Sequence, residues 1–399
     1  MARSKARLSQ QIVRVWMNVV HVFPYSAKVP GGHSNAIRSF IACQRVAGLN
    51  AVGIATEAEA RLAKLTCEFP YAEVGSLWDL RWATLAERFK LRAEATLLNL
   101  HSVNRRFAPL LEDLRRAGIP YVLTSHGQLS FQTPWRWLKK IIYLNLVNRG
   151  PLRAAGLHAL TKFAAQRAKY LLPAFRGAVL VQGNMVDLRN LGGSTIASRS
   201  DYGIPNDACV LGFLGRLDVH VKGLDLLVEA FSCLPSDRFR LLLIGPDWNG
   251  GKAELELQAE RFGCKDRIHF TGAIYGDKKW SLLRMANMFV SPSRWEAFSI
   301  AQAEAMAIGL PVVTSTGVNL ALDLREADAA LLTPLAVEPL AKAIATLEAD
   351  GVGRQALANR GQAWVRKNCD PDHAGPRFQQ FYQAILEKNR AIAKGEKAA

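Results

Sequence analysis

A chain of 399 residues with 49% hydrophobic composition can bury two ordinary cores, so two domains of roughly 200 residues each are expected. Its formal net charge of +17 is unevenly placed: residues 1–199 hold 28 Lys and Arg against 10 Asp and Glu, whereas residues 200–399 hold 23 against 24. No apolar run approaches the roughly 18 residues of a bilayer span, no cleavable leader is apparent, and the six cysteines stand singly without ligand spacing, which argues against a membrane span, secretion, a zinc site and a disulfide framework.

Ile12 to Pro24 clusters β-formers and predicts a first strand. Gly31 and Gly32 follow in a turn that opens a helix from about Ser34 to Ala47, stopped by Gly48, before a strand at AVGIAT. This is a Rossmann-like beginning without the GxGxxG fingerprint, so no ordinary dinucleotide site is indicated. ATLLNLHSV and PYVLTSHG predict strands that run out at His101 and His126, with the helix FAPLLEDLRRAG between them. Parallel strands joined in this way end on one edge of the sheet, where α/β proteins bind ligands. A histidine at a strand end reads either as a structural hydrogen-bonder or as a ligand contact. The segment TPWRWLKKIIYLNLVNRG interleaves Trp135, Trp137, Ile141, Ile142 and Tyr143 with Arg136, Lys139 and Lys140. It is either a helix lying in a membrane interface or a core-facing helix with a basic outer face. LHALT and GAVLVQGN predict further strands, and the Gly-, Ser-, Asn- and Pro-rich run from Leu191 to Asp207 predicts a linker. No helix-turn-helix, finger or aromatic RNA-binding signature accompanies the basic excess, so nucleic acid is not the expected partner. An anionic membrane surface suits it better, beside the plainer alternative of a solvated basic face.

In the second half, CVLGFLG predicts a strand, followed by RLDVHVKG and the helix LDLLVEAFSCL. Gly215 allows a sharp exit from the strand, and Arg216 and Lys222 place two cations in a loop before a helix, a combination suited to a diphosphate. FRLLLIGPDWNGG, RIHFTGAIYG and MANMFVSPS predict three more strands and loops. They lead into RWEAFSIAQAEAMAIGLPVVTS, which reads as loop, helix, turn and strand, with Gly309 as the stop and Pro311 beyond it. Glu296 falls at or just before the helix N-terminus, where the N–H groups of Phe298, Ser299 and Ile300 would face a bound anion. Glu304 lies two turns further in, among small residues. Glu296 could simply serve the helix dipole and Glu304 be a solvated helix residue. Alternatively, a phosphate meets the helix N-terminus while the two acids accept hydrogen bonds from sugar hydroxyls. After Thr333 the chain reads as helical, and Asp370, Pro371 and Asp372 form a DxD triplet expected in a loop.

Four stretches carry a resemblance. Glu296 to Glu304, with EAMAIGLPVV following, resembles the Glu-x7-Glu motif of the retaining group 1 glycosyltransferases (glycosyltransferase family 4). GRLDVHVKG resembles the family's GRL…KG motif, HG after PYVLTS resembles its strand-end histidine, and VQGNMVD resembles its IPNGVD segment but departs at Gly183 and Met185, which leaves Asn184 unassigned. The resemblance implies an α/β protein of GT-B fold, two Rossmann-like domains facing each other across a cleft. Residues 1–190 would form the acceptor-side domain, joined by a C-terminal crossing helix at about 375–399, and residues 205–374 the nucleotide-sugar-binding domain. It implies a metal-independent hexosyltransferase that moves a sugar from a nucleotide sugar to a glycan or lipid-linked acceptor with retention, in cell-envelope or exopolysaccharide synthesis.

The family's roles carry over residue by residue. Arg216 and Lys222 would stabilise the leaving diphosphate, helped by the helix N-terminus at Phe298, Ser299 and Ile300. Glu304 would hold the ribose, while Glu296 and His126 would orient the donor sugar. Gly32 and Gly215 would let backbone approach the ligands, and the loop at Ile274 would meet the nucleobase edge. With two cations at the diphosphate, no metal or other cofactor is expected, and the protein would be cytoplasmic, either free or peripheral on the cytosolic membrane face. A nucleotide-sugar epimerase of the same architecture is the main alternative. A nucleic-acid-binding protein is a weaker one, because it leaves Glu296 and Glu304 idle.

Overall fold

The computed structural model describes residues 17–23, 32–56, 70–129, 134–188, 191, 196–274 and 276–395. The expected turn at Gly31, the start of the first strand before residue 17, and the side chains of Trp135, Arg136 and Trp137 lie outside that description. Thirteen strands fall into two sheets among the described residues.

The first sheet contains β1 (Asn18–Phe23), β2 (Asn50–Thr56), β3 (Tyr71–Val74), β4 (Thr96–His101), β5 (Tyr121–Thr124), β6 (Gly156–Ala159) and β7 (Ala178–Val181), in the order β3-β2-β1-β4-β5-β6-β7. The second contains β8 (Cys209–Leu214), β9 (Phe239–Ile244), β10 (Ile268–Gly272), β11 (Met288–Ser291), β12 (Val312–Ser315) and β13 (Leu331–Thr333), in the order β10-β9-β8-β11-β12-β13. Every pairing in the second sheet is parallel. Strands buried on both faces read as short continuous apolar runs, which is why CVLGFL and FRLLLI were legible as strands. In both sheets the order reverses beside the first strand, between β1 and β4 and again between β8 and β11. Such reversals leave a crevice outside the strand ends.

By contact density the chain divides into two compact units. One comprises Met1–Leu123, Ala154–Gly156 and Gly375–Ala399; the other comprises Thr124–Arg153 and Leu157–Ala374. A buried polar chain helps organise the first unit. His21 and His101 on β1 and β4 share a hydrogen bond between Nδ1 and Nε2 (2.7 Å), and His21 Nε2 meets Gln44 Oε1 at 2.8 Å on the helix Gly32–Val46. Gln44 Nε2 and Asn99 Nδ2 both donate to the hydroxyl of Tyr382, on the helix Pro371–Ala393, at 3.2 and 3.0 Å. All five side chains are buried, so each pairing offsets a desolvation cost. His101 is therefore a structural hydrogen-bonder.

In the second unit, residues 196–207 are anchored rather than free. Arg199 donates from Nη1 to the carbonyls of Asn206 and Ala208 (2.8 and 3.0 Å) and from Nη2 to the Met285 carbonyl and Asn287 Oδ1 (2.7 and 2.9 Å). The DxD triplet does not form the expected loop. Asp370 separates the helices Gly351–Cys369 and Pro371–Ala393, and its Oδ1 accepts from the Asp372 backbone N–H at 2.9 Å, a helix-capping contact.

Candidate functional site

The second sheet reverses between β8 and β11, and the chain leaving these two strands carries most of the candidate residues. Gly215 follows β8 at φ 154°, with Arg216 beyond it. Asp218 then caps a four-residue helical turn, Val219–Lys222, by accepting from the Val221 N–H (3.2 Å), and Gly223 closes it at φ 65°. Lys222 thus sits at the end of a capped turn, not in an open loop. A Cβ on Gly223 would lie 2.1 Å from the Pro292 carbonyl oxygen, and the Arg294 N–H donates to the Val221 carbonyl at 3.0 Å. The loops after β8 and β11 are therefore packed backbone to backbone. Arg294 staples them further, donating to both carboxylate oxygens of Asp225 (2.7 and 2.6 Å) and to the His220 carbonyl (2.8 Å).

That packing brings Lys222 to Glu296. The ammonium donates to Glu296 Oε1, and the two side chains are only 16% and 15% exposed. The helix begins at Ile300, with Ser299 as its cap, so Glu296 stands four residues ahead of it and is not a first-turn acid. The Ser299 hydroxyl accepts from the Gln302 N–H at 3.4 Å, and Phe298 is buried. Arg216 is more open: Asp218 Oδ2 accepts from its Nη2 at 3.2 Å, and its guanidinium lies 4.8 Å over the Trp248 ring.

Glu304 is no solvated helix residue either. Its side chain is 15% exposed, and Lys279 donates to its Oε1 at 2.7 Å. Burial pushes its carboxyl above the ordinary range, and the Lys279 charge and hydrogen bond pull it back down. Lys279 belongs to the helix Asp277–Leu283, five residues after Ile274. Gly215, Gly245 and Gly272 succeed one another across the ends of β8, β9 and β10: Gly215 donates to the Ile244 carbonyl (2.9 Å) and Gly245 to the Gly272 carbonyl (3.0 Å). Ile274 is thereby placed two strands along from Gly215, on the same edge.

His126 is buried, at φ 43°, in the tight turn after β5 closed by the Gln128 N–H on the Ser125 carbonyl (2.9 Å). A left-handed non-glycine residue costs backbone energy and often marks a site under functional constraint. A Cβ on Gly127 would lie 2.6 Å from Ala297 Cβ and 3.1 Å from the Trp295 ring, so the His126 turn lies against the loop that carries Glu296. Gly183 makes a similar approach, its Cβ position 2.5 Å from the Phe298 ring.

The structure therefore gathers Gly215, Arg216, Lys222, Glu296, Phe298, Ser299 and Ile300 at one switch point, sets the His126 turn against the same loop, and pairs Glu304 with Lys279, while Ile274 follows the end of β10. Gly32 instead heads the helix after β1, in the first unit. Sequence reasoning missed Lys279, Asp218, Trp248, Trp295 and Asn319, none of which falls in a motif quoted above for its own chemistry. Asn319 donates its backbone N–H to the Glu296 carbonyl at 3.0 Å. Its side-chain Nδ2, Trp295 Nε1 and Asn184 Oδ1 are buried polar atoms with no protein partner, which is the signature of groups that meet something other than protein.

Comparison with known proteins bears on the same segment. Residues 194–364 match the family model described as "Glycosyl transferases group 1". D-inositol 3-phosphate glycosyltransferase of Mycolicibacterium smegmatis is 30% identical over 226 residues, covering 49% of this chain and 51% of its own length. Lipopolysaccharide core biosynthesis mannosyltransferase LpsB of Rhizobium meliloti is 35% identical over 117 residues, 26% of this chain and 30% of its own length. The matches thus span about half, or less, of these relatives. Among solved structures, Anabaena Alr3699/HepE in complex with UDP superposes with a TM-score of 0.72 at 20% identity, covering 92% of this chain and 100% of that one. The fold is GT-B.

Proposed function

We propose, from the match of residues 194–364 to the group 1 glycosyl transferase model, that the chain moves a sugar from a nucleotide-sugar donor to a glycan or lipid-linked acceptor with retention of anomeric configuration. The observation that carries the reading is the pairing of Lys222 with Glu296 across the β8/β11 switch point, with Arg216 at the same edge. When the bond from the anomeric carbon to the donor phosphate breaks, the diphosphate keeps the electron pair and negative charge grows on it. Arg216 and Lys222 stabilise that charge, and the helix N-terminus at Phe298, Ser299 and Ile300 adds to it. The acceptor hydroxyl oxygen forms the new bond to the same carbon, and its proton passes to the departing diphosphate.

Glu304 accepts hydrogen bonds from the ribose, Glu296 and His126 orient the donor sugar, and the loop at Ile274 meets the base. Gly32 lets backbone approach the ligands from the first Rossmann-like domain, residues 1–190 with the helix from about 375, which binds the acceptor. Because side-chain cations supply the charge stabilisation, the reaction needs no metal or other cofactor. The UDP bound by Alr3699/HepE supports a nucleotide sugar as donor, and the relative named for lipopolysaccharide core biosynthesis supports a role in cell-envelope synthesis.

The experiment is incubation with a panel of nucleotide sugars and carbohydrate acceptors, with the product anomer read by NMR. Acceptor-dependent release of nucleoside diphosphate and a product with the donor's configuration are expected. Inversion would overturn the retaining assignment, and conversion of donor alone to an isomeric nucleotide sugar would replace the transferase with an epimerase.

A further inference from the structure

The helix Pro134–Ile142 runs directly into a π-helical turn, Tyr143–Val147, and large apolar side chains lie on its outside. Leu138, Ile142 and Leu146 are 48%, 46% and 64% exposed, and Val147 is 67% exposed. The first three are four residues apart, so they share a face. The opposite side is fixed in place: Leu144 is buried, and Asn145 Nδ2 donates to the carbonyls of Ile141 (2.8 Å) and Leu171 (2.7 Å). The apolar stripe is therefore not the face this segment packs on the protein. Lys139, Arg149 and Arg153 are exposed around it and Lys140 is half-buried. Acids are missing from the whole neighbourhood in sequence, since residues 114–186 contain eleven Lys and Arg and no Asp or Glu.

We propose that this face docks on an anionic lipid bilayer, with Leu138, Ile142, Leu146 and Val147 entering the headgroup boundary and Lys139, Arg149 and Arg153 engaging lipid phosphates. A bilayer surface sets an anionic layer beside an apolar one, which is the complement of this stripe. Nucleic acid would match the cations and leave the apolar side chains in water. A second copy of this chain would cover the apolar side chains but bring like charges together. The proposal deepens the lipid-linked reading of the acceptor and rests on it for its purpose, while its geometry stands independently.

The test is flotation of the full chain with vesicles of phosphatidylcholine alone and of phosphatidylcholine mixed with phosphatidylglycerol, alongside UDP-induced thermal shift. Wild type should float with the anionic vesicles, far less with the neutral ones, and release on adding salt. The triple variant Leu138→Ser, Ile142→Ser, Leu146→Ser and the triple variant Lys139→Glu, Arg149→Glu, Arg153→Glu should each lower vesicle affinity by about tenfold or more, with the UDP shift unchanged. Equal flotation of wild type and both variants would overturn the assignment of this face. Failure of wild type to float with a normal UDP shift would overturn membrane docking and leave the transferase reading standing. Flotation without a thermal shift by UDP, GDP or ADP would count against the transferase reading alone. A concentration-dependent dimer abolished by the serine variant would give the face to a second copy instead.

Discussion

The Glu304 carboxylate is held between burial, which raises its pKa, and the Lys279 ammonium, which lowers it. Removing the ammonium leaves burial unopposed, so in Lys279→Met the carboxyl moves further up and is protonated in a larger fraction of molecules at neutral pH. In the proposed donor complex a protonated Glu304 is a poorer acceptor for ribose hydroxyls. KM for the donor should rise about tenfold near neutrality, the scale of one hydrogen bond to a charged group, with kcat little changed. The defect should shrink as pH increases and the carboxylate returns, and Lys279→Arg should restore it. An equal loss at every pH would mean that Lys279 only packs against the site. Nothing in the sequence singles Lys279 out, because its role depends on the turn of one helix toward another. Glu304 was legible because its spacing from Glu296 repeats a motif, although the motif did not reveal that it is buried or what balances it.

Two glycines of the second unit separate backbone conformation from close approach. Gly223 and Gly250 both have positive φ, but a Cβ on Gly223 meets the Pro292 carbonyl at 2.1 Å, whereas one on Gly250 meets nothing within 4 Å. Gly250→Ala should cost about 1 kcal/mol from conformation alone and leave donor binding unchanged. Gly223→Ala should cost about 2 kcal/mol or more and weaken donor binding, because it forces apart the loops that carry Lys222 and Glu296. Chemical denaturation and nucleotide titration on both variants would check this, and equal effects would contradict the packing argument. The strands of the second sheet were readable because fully buried parallel strands are largely continuous apolar runs, as in CVLGFL. Elements without that contrast were missed. The turn Val219–Lys222 is too short for a helical period, and the helix Gly251–Arg261 carries a largely polar sequence, GKAELELQAER. The DxD triplet reads like a loop because Pro371 and two acids break the pattern, yet Pro is well placed to start a helix and Asp370 to cap it.

At the scale of the whole molecule, two Rossmann-like sheets each reverse their order once, and the second reversal collects Arg216, Lys222 and Glu296 from segments that begin some eighty residues apart in sequence. That convergence is what a motif list cannot display: the sequence shows each stretch, and only the strand order makes them neighbours. The basic excess of residues 1–199 was equally plain in composition, whereas the exposure of Leu138, Ile142 and Leu146, on which the proposed bilayer docking rests, shows only in the structure. The central claim is that side-chain cations at this switch point, rather than a metal, carry the leaving diphosphate. It is tested most directly by steady-state transfer in excess chelator, comparing wild type with Arg216→Ala and Lys222→Ala. The account predicts full wild-type activity in chelator and a loss of about a hundredfold or more in each variant, with Tm little changed. Near-normal turnover in both variants, or wild-type activity that disappears in chelator and returns with added Mg²⁺ or Mn²⁺, would contradict it.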